Sequence, residues 1–299
     1  MNHASPSRAS ALILVLWALM LLSAAVLAWA LSVQNSITRH AVDNRTFEAL
    51  TMARSGLAIA LHPAVSRRTR VPDEEIAPGM GYQVRITSEG GKLNLKWLLQ
   101  GEEPMKLAML RHWLERKGLK FQERETFVDC LLDYVDADDV KRLNGAEDDG
   151  DYHPANRELQ SVEELVRVRG TAPLTSQPGW QDDLTVYSQG PIELQSASAE
   201  ILSLIPGLSD TRIRQFIQYR QGPDGIDGTP DDKTFPNLAA IQQFLGLTQA
   251  QFEAISGLIT YSDPTLRVVA EGHSGEIKRQ IAVVVRKGNG KPQILSWKE

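Results

Sequence analysis

The pattern of hydrophobic positions begins with one long apolar block near the start of the chain. Between Ala11 and Val33, all 23 residues are apolar apart from Ser23 and Ser32. A helix needs about 20 apolar residues to cross the hydrocarbon core of a bilayer, so this block is long enough to span a membrane. The short segment before it carries Arg8 and no acid, which favours a cytoplasmic N-terminus with the rest of the chain on the other side.

Two interpretations of this block are open from the first 30 residues alone. A secretory signal has an apolar region of about 7–15 residues and a small-residue cleavage site, and residues 27–30 (LAWA) would serve as such a site. The following sequence favours a helix that is retained, because residues 11–62 hold no proline and one glycine. An apolar stripe continues at helical spacing through Phe47, Leu50, Leu57 and Leu61, interrupted by Arg54. Pro63 predicts the end of one helix of about 50 residues.

The rest of the chain alternates between strand-like and helix-like segments. Residues 81–99 alternate as two strands around a tight turn at Gly90-Gly91, and three strands with glycine-rich turns follow residue 265. Between them lie two helical groups, at about 104–180 and 196–260. Strands on both sides of a helical block predict one sheet domain interrupted by an inserted helical domain. The predicted boundaries are 10–62 for the N-terminal helix with its membrane span at about 11–33, 63–100 and 262–299 for the sheet domain, and 101–261 for the helical domain.

Composition narrows the function classes. A chain of 299 residues can bury a sizeable core, and its net charge of −5 gives no reason to expect an acidic polymer as partner. The single Cys130 cannot form an internal disulfide and is predicted to be a small buried apolar residue. The six histidines are scattered, and no nucleophile elbow, phosphate-binding loop or zinc-protease motif is present. We therefore predict that the protein is not an enzyme.

An acidic segment at residues 129–151 is the strongest candidate for a site. It holds nine carboxylates against two bases, Lys141 and Arg142. Such a segment is either solvated or neutralised by a cation, and calcium prefers about six to eight oxygen ligands of this kind. It is not an EF-hand, because Val140 and Lys141 occupy positions where that loop needs an oxygen ligand and a glycine. The predicted metal ligands are Asp136, Asp138, Glu147, Asp148 and Asp151.

A second acidic loop, at residues 222–235 (GPDGIDGTPDDKTF), is a weaker candidate. Glycines let a chain curl closely around an ion, but glycine, proline and aspartate also build ordinary surface turns. Both interpretations stay open. The secondary candidate ligands are Asp224, Asp227, Asp231 and Asp232.

The segment 196–220 has the form of a helix–hairpin–helix around Pro206-Gly207-Leu208. It resembles the DNA receptors of bacterial competence, which are also membrane-anchored and exported, and this is the alternative function. In those modules a second glycine lets exposed amides hold a phosphate, whereas Ser209 and Asp210 follow here. Residues 190–260 carry eight acids against four bases, which is the wrong sign for DNA binding. We predict no nucleic-acid partner and a solvated helix face at Arg212, Arg214 and Arg220.

The apolar start "ALILVLW" after a short basic leader resembles the minor pseudopilin of type II secretion, the general secretion pathway protein K family. The resemblance extends through "GGKLNL", the acidic "DYVDADD" and "NGAEDDGDY", "SVEELVRVRG" and the C-terminal "VVVRK". It implies an α+β fold: a long N-terminal transmembrane helix of pilin type, then a pilin-like antiparallel sheet domain interrupted by a large inserted helical domain.

The same resemblance implies processing, location and partners. Prepilin peptidase would remove residues 1–9 by cutting between Ala9 and Ser10, where the family usually has glycine before the cut. Leu14 then stands at the fifth mature position, where most pilin subunits have a glutamate that neutralises a neighbour's amino terminus. The family lacks this glutamate and is placed at the filament tip. The resemblance further implies calcium in the helical domain, the I and J pseudopilins and the secreted substrate as partners, and a single-pass inner-membrane protein with a periplasmic C-terminal domain.

Overall fold

The N-terminal helix α1 runs without a break from Ser7 to Ala60. The structure is a computed structural model, and it describes residues 7–65, 71–229, 231–288 and 291–299. Residues 1–6 of the predicted leader lie outside the described residues, and the backbone of Ala9 and Ser10 lies in the first turns of α1. The side chains from 11 to 33 are exposed, and α1 is the one helix in the described ranges that is long and apolar enough to cross a membrane. The predicted long helix is confirmed.

A five-stranded antiparallel sheet receives the second half of α1. Its strands are β1 Glu74–Ala77, β2 Met80–Ser88, β7 Thr265–Ser274, β8 Ile277–Arg286 and β9 Gln293–Lys298. The strand order is β1-β2-β7-β8-β9, so the strand before the helical region pairs with the first strand after it. The three strands predicted after residue 265 are confirmed.

Helix α1 lies very close to this sheet because a glycine stands at two points of contact, Gly272 on β7 and Gly56 on α1. A Cβ on Gly272 would lie 2.9 Å from Met52 Cβ, and closer still to the carbonyl oxygen of Ala49 and the amide nitrogen of Ala53. On the helix, a Cβ on Gly56 would lie 2.8 Å from Tyr82 Cδ2. Backbone therefore packs against backbone, and a small apolar core forms between α1 and the strands.

Lys287, just after β8, stabilises the C-terminal end of α1. Its ammonium donates to the carbonyl oxygens of Ala60 at 2.7 Å, His62 at 3.1 Å and Val65 at 2.5 Å. Carbonyls in the last turn of a helix have no partner within the helix, and a cation there also interacts favourably with the helix dipole. Burial lowers the pKa of Lys287.

The chain between β2 and β7 forms a helical region with its own, larger hydrophobic core. Two short parallel strand pairs, β3 with β4 and β5 with β6, hold its loops together. The predicted "SVEELVRV" helix is a 3-10 helix at Val162–Arg167. The bounds are β3 Leu93–Asn94, α2 Leu95–Leu99, α3 Pro104–Arg116, α4 Phe121–Val135, α5 Ala172–Thr175, β4 Leu184–Thr185, β5 Ile192–Glu193, α6 Ala199–Leu202, α7 Asp210–Arg220, α8 Leu238–Leu245, α9 Gln249–Ile255 and β6 Ile259–Thr260.

The second strand predicted within 81–99 is wrong, because a two-residue strand is followed by helix α2. The Asn94 side chain caps α2 by accepting from the Trp97 amide, and Leu95, Leu98 and Leu99 point into the helical core. That core therefore begins at Leu93, before the predicted boundary at residue 101.

Gly90 and Gly91 are buried and form no hairpin turn. A Cβ on Gly91 would lie 2.6 Å from the Ser196 carbonyl oxygen, and one on Gly90 would lie 3.0 Å from Glu193 Cβ. The two glycines permit close packing at the junction between the sheet and the helical region. Fully buried Glu89 anchors that junction by pairing with Arg267 at 2.6 Å and accepting from the Thr185 hydroxyl.

Candidate functional site

The acidic segment folds back onto the C-terminal half of α4. Asp129, Asp133 and Asp136 follow one another at i, i+4 and i+7, so they share one face of the helix or its end. Asp129 Oδ2 accepts from the backbone amide of Asn144 at 3.0 Å and from its side chain at 2.9 Å. These contacts hold the chain where it returns to α4 at Asn144-Gly145.

Asp133 is fully buried and is held by the returning loop. Its Oδ1 accepts from the Arg142 guanidinium at 2.7 Å, and both of its oxygens lie within 3.4 Å of the Arg142 amide nitrogen. Gly145 passes directly over the carboxylate, because a Cβ there would lie 2.7 Å from Asp133 Cγ. The glycine lets the backbone approach a buried charge, and the arginine neutralises that charge.

Arg142 connects three carboxylates from different parts of the chain. Besides Asp133, its guanidinium pairs with Asp136 Oδ2 at 2.5 Å and with Glu102 Oε1 at 2.7 Å. Glu102 lies between α2 and α3 and has a left-handed backbone, with φ of 48°. This conformation is unfavourable for a residue with a Cβ, and the ion pair with Arg142 helps to hold it.

Two carboxylates keep oxygens that Arg142 does not reach. Glu147 is 9% exposed, and neither of its oxygens has a hydrogen-bond partner among the residues that the structure describes. The same holds for Asp136 Oδ1. Burial raises the pKa of Glu147, and the charges of Asp133 and Asp136 raise it further. A buried carboxylate without a hydrogen-bond partner lowers the stability of the folded protein, and a bound cation would offset that cost. This corner of the site can therefore accept a further cation.

The other three predicted ligands lie in exposed parts of the segment. Asp138 accepts from the Val140 amide at 2.9 Å, and its charge contributes to the raised pKa of Glu147. Asp148 contacts His153 Nδ1 at 2.7 Å, and this hydrogen bond lowers the pKa of Asp148. Asp151 is exposed. In the described ranges, no three histidine, cysteine, aspartate or glutamate side chains converge closely enough to hold a metal ion.

Sequence reasoning missed the residues that organise the site. Asp133 and Arg142 lie within the acidic segment, and the i, i+4, i+7 spacing of its first three aspartates was the available signal. Glu102 lies 40 residues before Arg142, and no local pattern marked it. Cys130 is buried as predicted, its Sγ lies 3.4 Å from the Asn144 carbonyl oxygen, and burial raises its pKa to about 11.

The second acidic loop is closed mainly by its own backbone. Asp224 accepts from the Ile226 amide at 2.8 Å, Asp231 from the Asp224 amide at 3.1 Å, and Asp232 from the Gly228 amide at 2.7 Å. Asp227 pairs with Arg220 at 3.2 Å. Hydrogen bonds from Thr229 and from the Asp224 amide lower the pKa of Asp231. These contacts are those of aspartate-rich turns.

The helix–hairpin–helix segment packs inward. Its first helix, α6, has four residues, and the Ser209 hydroxyl caps α7 by accepting from the Arg212 amide. The prediction of a solvated face is wrong for Arg220, which is buried because its guanidinium donates to the carbonyl oxygens of Leu194 and Ala197. This arginine joins the hairpin to the junction and the second acidic loop.

Comparison with known proteins gives one family match and one fold match. Residues 91–177 match the sequence model of the family described as type II secretion system (T2SS), protein K. Comparison with curated proteins gives no match. Among solved structures, the chain is similar to one in the crystal structure of the GspK-GspI-GspJ complex from the type 2 secretion system of enterotoxigenic Escherichia coli. That similarity has 13% sequence identity and a TM-score of 0.61, and it covers 88% of this chain and 98% of that chain.

These two comparisons agree with the sequence motifs. The matched segment begins at the second glycine of "GGKLNL" and contains the acidic segment and "SVEELVRVRG", and these motifs carry the resemblance stated above. The fold match covers 88% of the chain, so it extends beyond that segment. The resemblance is thereby confirmed: residues 91–177 match the protein K model of type II secretion, and the chain has a GspK-like α+β fold.

Proposed function

We propose that the protein is a minor pseudopilin that caps the tip of the type II secretion pseudopilus. Helix α1 carries this proposal. Its first half is an exposed apolar helix, and its second half is packed onto the sheet through Ala49, Ala53 and Gly56. A rigid domain fixed to the end of a membrane-length helix can be held in the bilayer and then transferred into a filament whose core consists of such helices.

The N-terminal segment supports two parts of the proposal, the cleavage of the leader and the position at the filament tip. Prepilin peptidase would cut between Ala9 and Ser10 on the cytoplasmic face of the inner membrane and leave the domain periplasmic. The fifth residue of the mature chain is then Leu14, which cannot neutralise the amino terminus of a subunit above it. A subunit with nothing above it has no need of that charge. The helical region, with a core larger than that of the sheet domain, also suits a terminal position better than a repeating one.

The proposed partners are the I and J minor pseudopilins, with the secreted substrate as a further contact of the helical region. The similar solved structure is a complex of GspK with GspI and GspJ. By analogy, this chain would nucleate assembly with its own I and J subunits and support the export of folded proteins. The role is structural and non-catalytic.

Calcium is the proposed structural cofactor. Asp136 and Glu147 would hold it in the acidic segment, because they offer buried hard oxygen atoms without partners among the described residues, and exposed Asp138 is a further candidate ligand. Bound calcium would neutralise this corner and fix the loop against α4. Asp148, Asp151 and the second loop at 224–232 stay as further candidates.

Complex formation tests the proposed function. Full-length protein co-expressed with its I and J subunits and extracted in detergent is expected to co-purify with both. Phe47 lies on α1 and is 68% exposed, while Phe121 on α4 is 67% exposed and provides a matched control. Phe47→Glu places a charge on a helix face that must pack in the bundle, so it is expected to weaken co-purification by about tenfold or more.

Phe121→Glu is expected to leave co-purification unchanged. Absence of both subunits from the wild-type preparation would contradict the proposal. If Phe121→Glu disrupts the complex and Phe47→Glu does not, the assembly is not mediated by α1.

A further inference from the structure

Arg142 lies among the carboxylates of the acidic segment and neutralises them as a bound cation would. It is one of two bases in the segment 129–151, and its guanidinium contacts Asp133, Asp136 and Glu102 at 2.5–2.7 Å. The fully buried Asp133 depends on this contact, because an unpaired charge in that position would be strongly destabilising. The protein therefore carries a substitute for a bound cation within its own sequence.

The substitute neutralises the cluster incompletely. Both oxygens of Glu147 and Oδ1 of Asp136 lack hydrogen-bond partners within the described part of the chain, and Glu147 is nine-tenths buried. Asp136 therefore presents one oxygen to Arg142 and keeps the other without a hydrogen-bond partner among the described residues. A cation that binds Asp136 and Glu147 adds positive charge beside the guanidinium and draws on a carboxylate that Arg142 already uses.

We propose that Arg142 competes with calcium for this cluster, so that it keeps the segment folded without calcium and lowers the affinity for calcium. This inference rests on the calcium binding proposed above. The proposal also predicts an effect of calcium on a second region, because Arg142 pairs with Glu102 as well as with the acidic segment. Calcium that weakens the hold of Arg142 would release the left-handed Glu102 and the loop between α2 and α3.

Calcium affinity of the full-length protein in detergent, measured by calorimetric titration, tests the competition. Arg142→Gln removes the competing charge and is expected to bind calcium at least about tenfold more tightly than wild type. Arg169→Gln is the matched control, because Arg169 pairs with Asp149 in the same segment but does not contact Asp133 or Asp136. It removes the same charge, and its affinity is expected to stay within about threefold of wild type.

Arg142→Lys covers the case in which Arg142→Gln fails to fold. Lysine keeps one charge but cannot span three carboxylates, so its calcium affinity is expected to lie between those of wild type and Arg142→Gln. Proteolysis at the 100–103 loop gives a second readout, since calcium should accelerate cleavage there in wild type and not in Arg142→Gln, whose loop is already released.

The outcomes separate the binding of calcium from the competition by Arg142. Tighter binding by Arg142→Gln or Arg142→Lys than by Arg169→Gln supports the competition, including the case in which wild type binds no calcium at all. If wild type binds calcium and the Arg142 variants match Arg169→Gln, calcium binding stands and the competition is overturned. If no variant binds calcium, both claims are overturned.

Discussion

Gly272→Ala is expected to destabilise the sheet domain by about 3 kcal/mol or more, because the added methyl has no space. Its Cβ would lie 2.9 Å from Met52 Cβ, and closer still to the backbone atoms of Ala49 and Ala53. Overpacking against a side chain can be relieved by a rotamer change, but these neighbours include the backbone of α1. Strand β7 is also fixed, since it pairs with β2 on one side and β8 on the other. Relief therefore requires α1 to move off the sheet.

Denaturant unfolding of the full-length protein measures this effect. Gly257→Ala is the matched control, because a Cβ there meets no atom within 4 Å and the backbone is not left-handed. The control is expected to change the free energy of unfolding by less than about 0.5 kcal/mol. A Gly272→Ala midpoint equal to that of the control would show that α1 does not pack on the sheet as described.

Calcium is expected to raise the melting midpoint of the full-length protein by about 5–10 °C at a hundredfold excess over its dissociation constant. Ligand binding to the native state alone stabilises by about 2.7 kcal/mol under that condition, and each kcal/mol shifts the midpoint by about 2–4 °C in a domain of this size. Chelator should reverse the shift, and magnesium should produce less of it because it requires a tighter octahedral site. Asp136→Ala with Glu147→Ala should remove most of the response and leave a folded protein in chelator.

Glu147→Gln separates the calcium effect from the cost of the buried charge. The folded-state pKa of Glu147 is raised, so its stabilising contribution is present below the ordinary glutamate pKa of about 4.3 and is lost as pH rises through the raised pKa. In chelator at neutral pH, Glu147→Gln is therefore expected to be more stable than wild type by about 1 kcal/mol. The difference should disappear below about pH 4.

The control for this comparison is Glu158→Gln, which changes an exposed glutamate paired with Lys96. It should retain the full calcium shift and gain no stability in chelator. An unchanged midpoint of wild type in calcium and chelator, with no calcium found by elemental analysis, would contradict the calcium proposal and leave the protein K match at residues 91–177 unaffected.

The elements that local pattern specifies were predictable from the sequence. The apolar run and the absence of proline predicted α1, and alternation with glycine turns predicted β7, β8 and β9. The second strand in 81–99 was not predictable in this way, because Leu95, Leu98 and Leu99 fit a short helix as well as a strand. Packing in the helical core and the Asn94 cap decide between them.

The candidate site was predictable in its composition but not in its connections. Carboxylate density identified Asp136 and Glu147, which keep unpaired buried oxygens within the described part of the acidic segment. It did not identify Arg142 as their neighbour or Glu102 as its third partner, because a contact across 40 residues leaves no periodic signal. The burial of Arg220 was missed for a similar reason, since its carbonyl partners lie more than 20 residues earlier.

The mass of the mature protein tests the central claim, that α1 is a pilin-type helix retained after leader cleavage. Full-length protein is expressed in a host with prepilin peptidase and in an isogenic host without it, and intact mass is measured for both. The account predicts loss of residues 1–9 and an N-terminus at Ser10 in the first host alone. A chain that begins at Leu31 in either host would contradict it, because that is the product of an ordinary signal peptidase acting after LAWA, and so would a chain that keeps residues 1–9 in both.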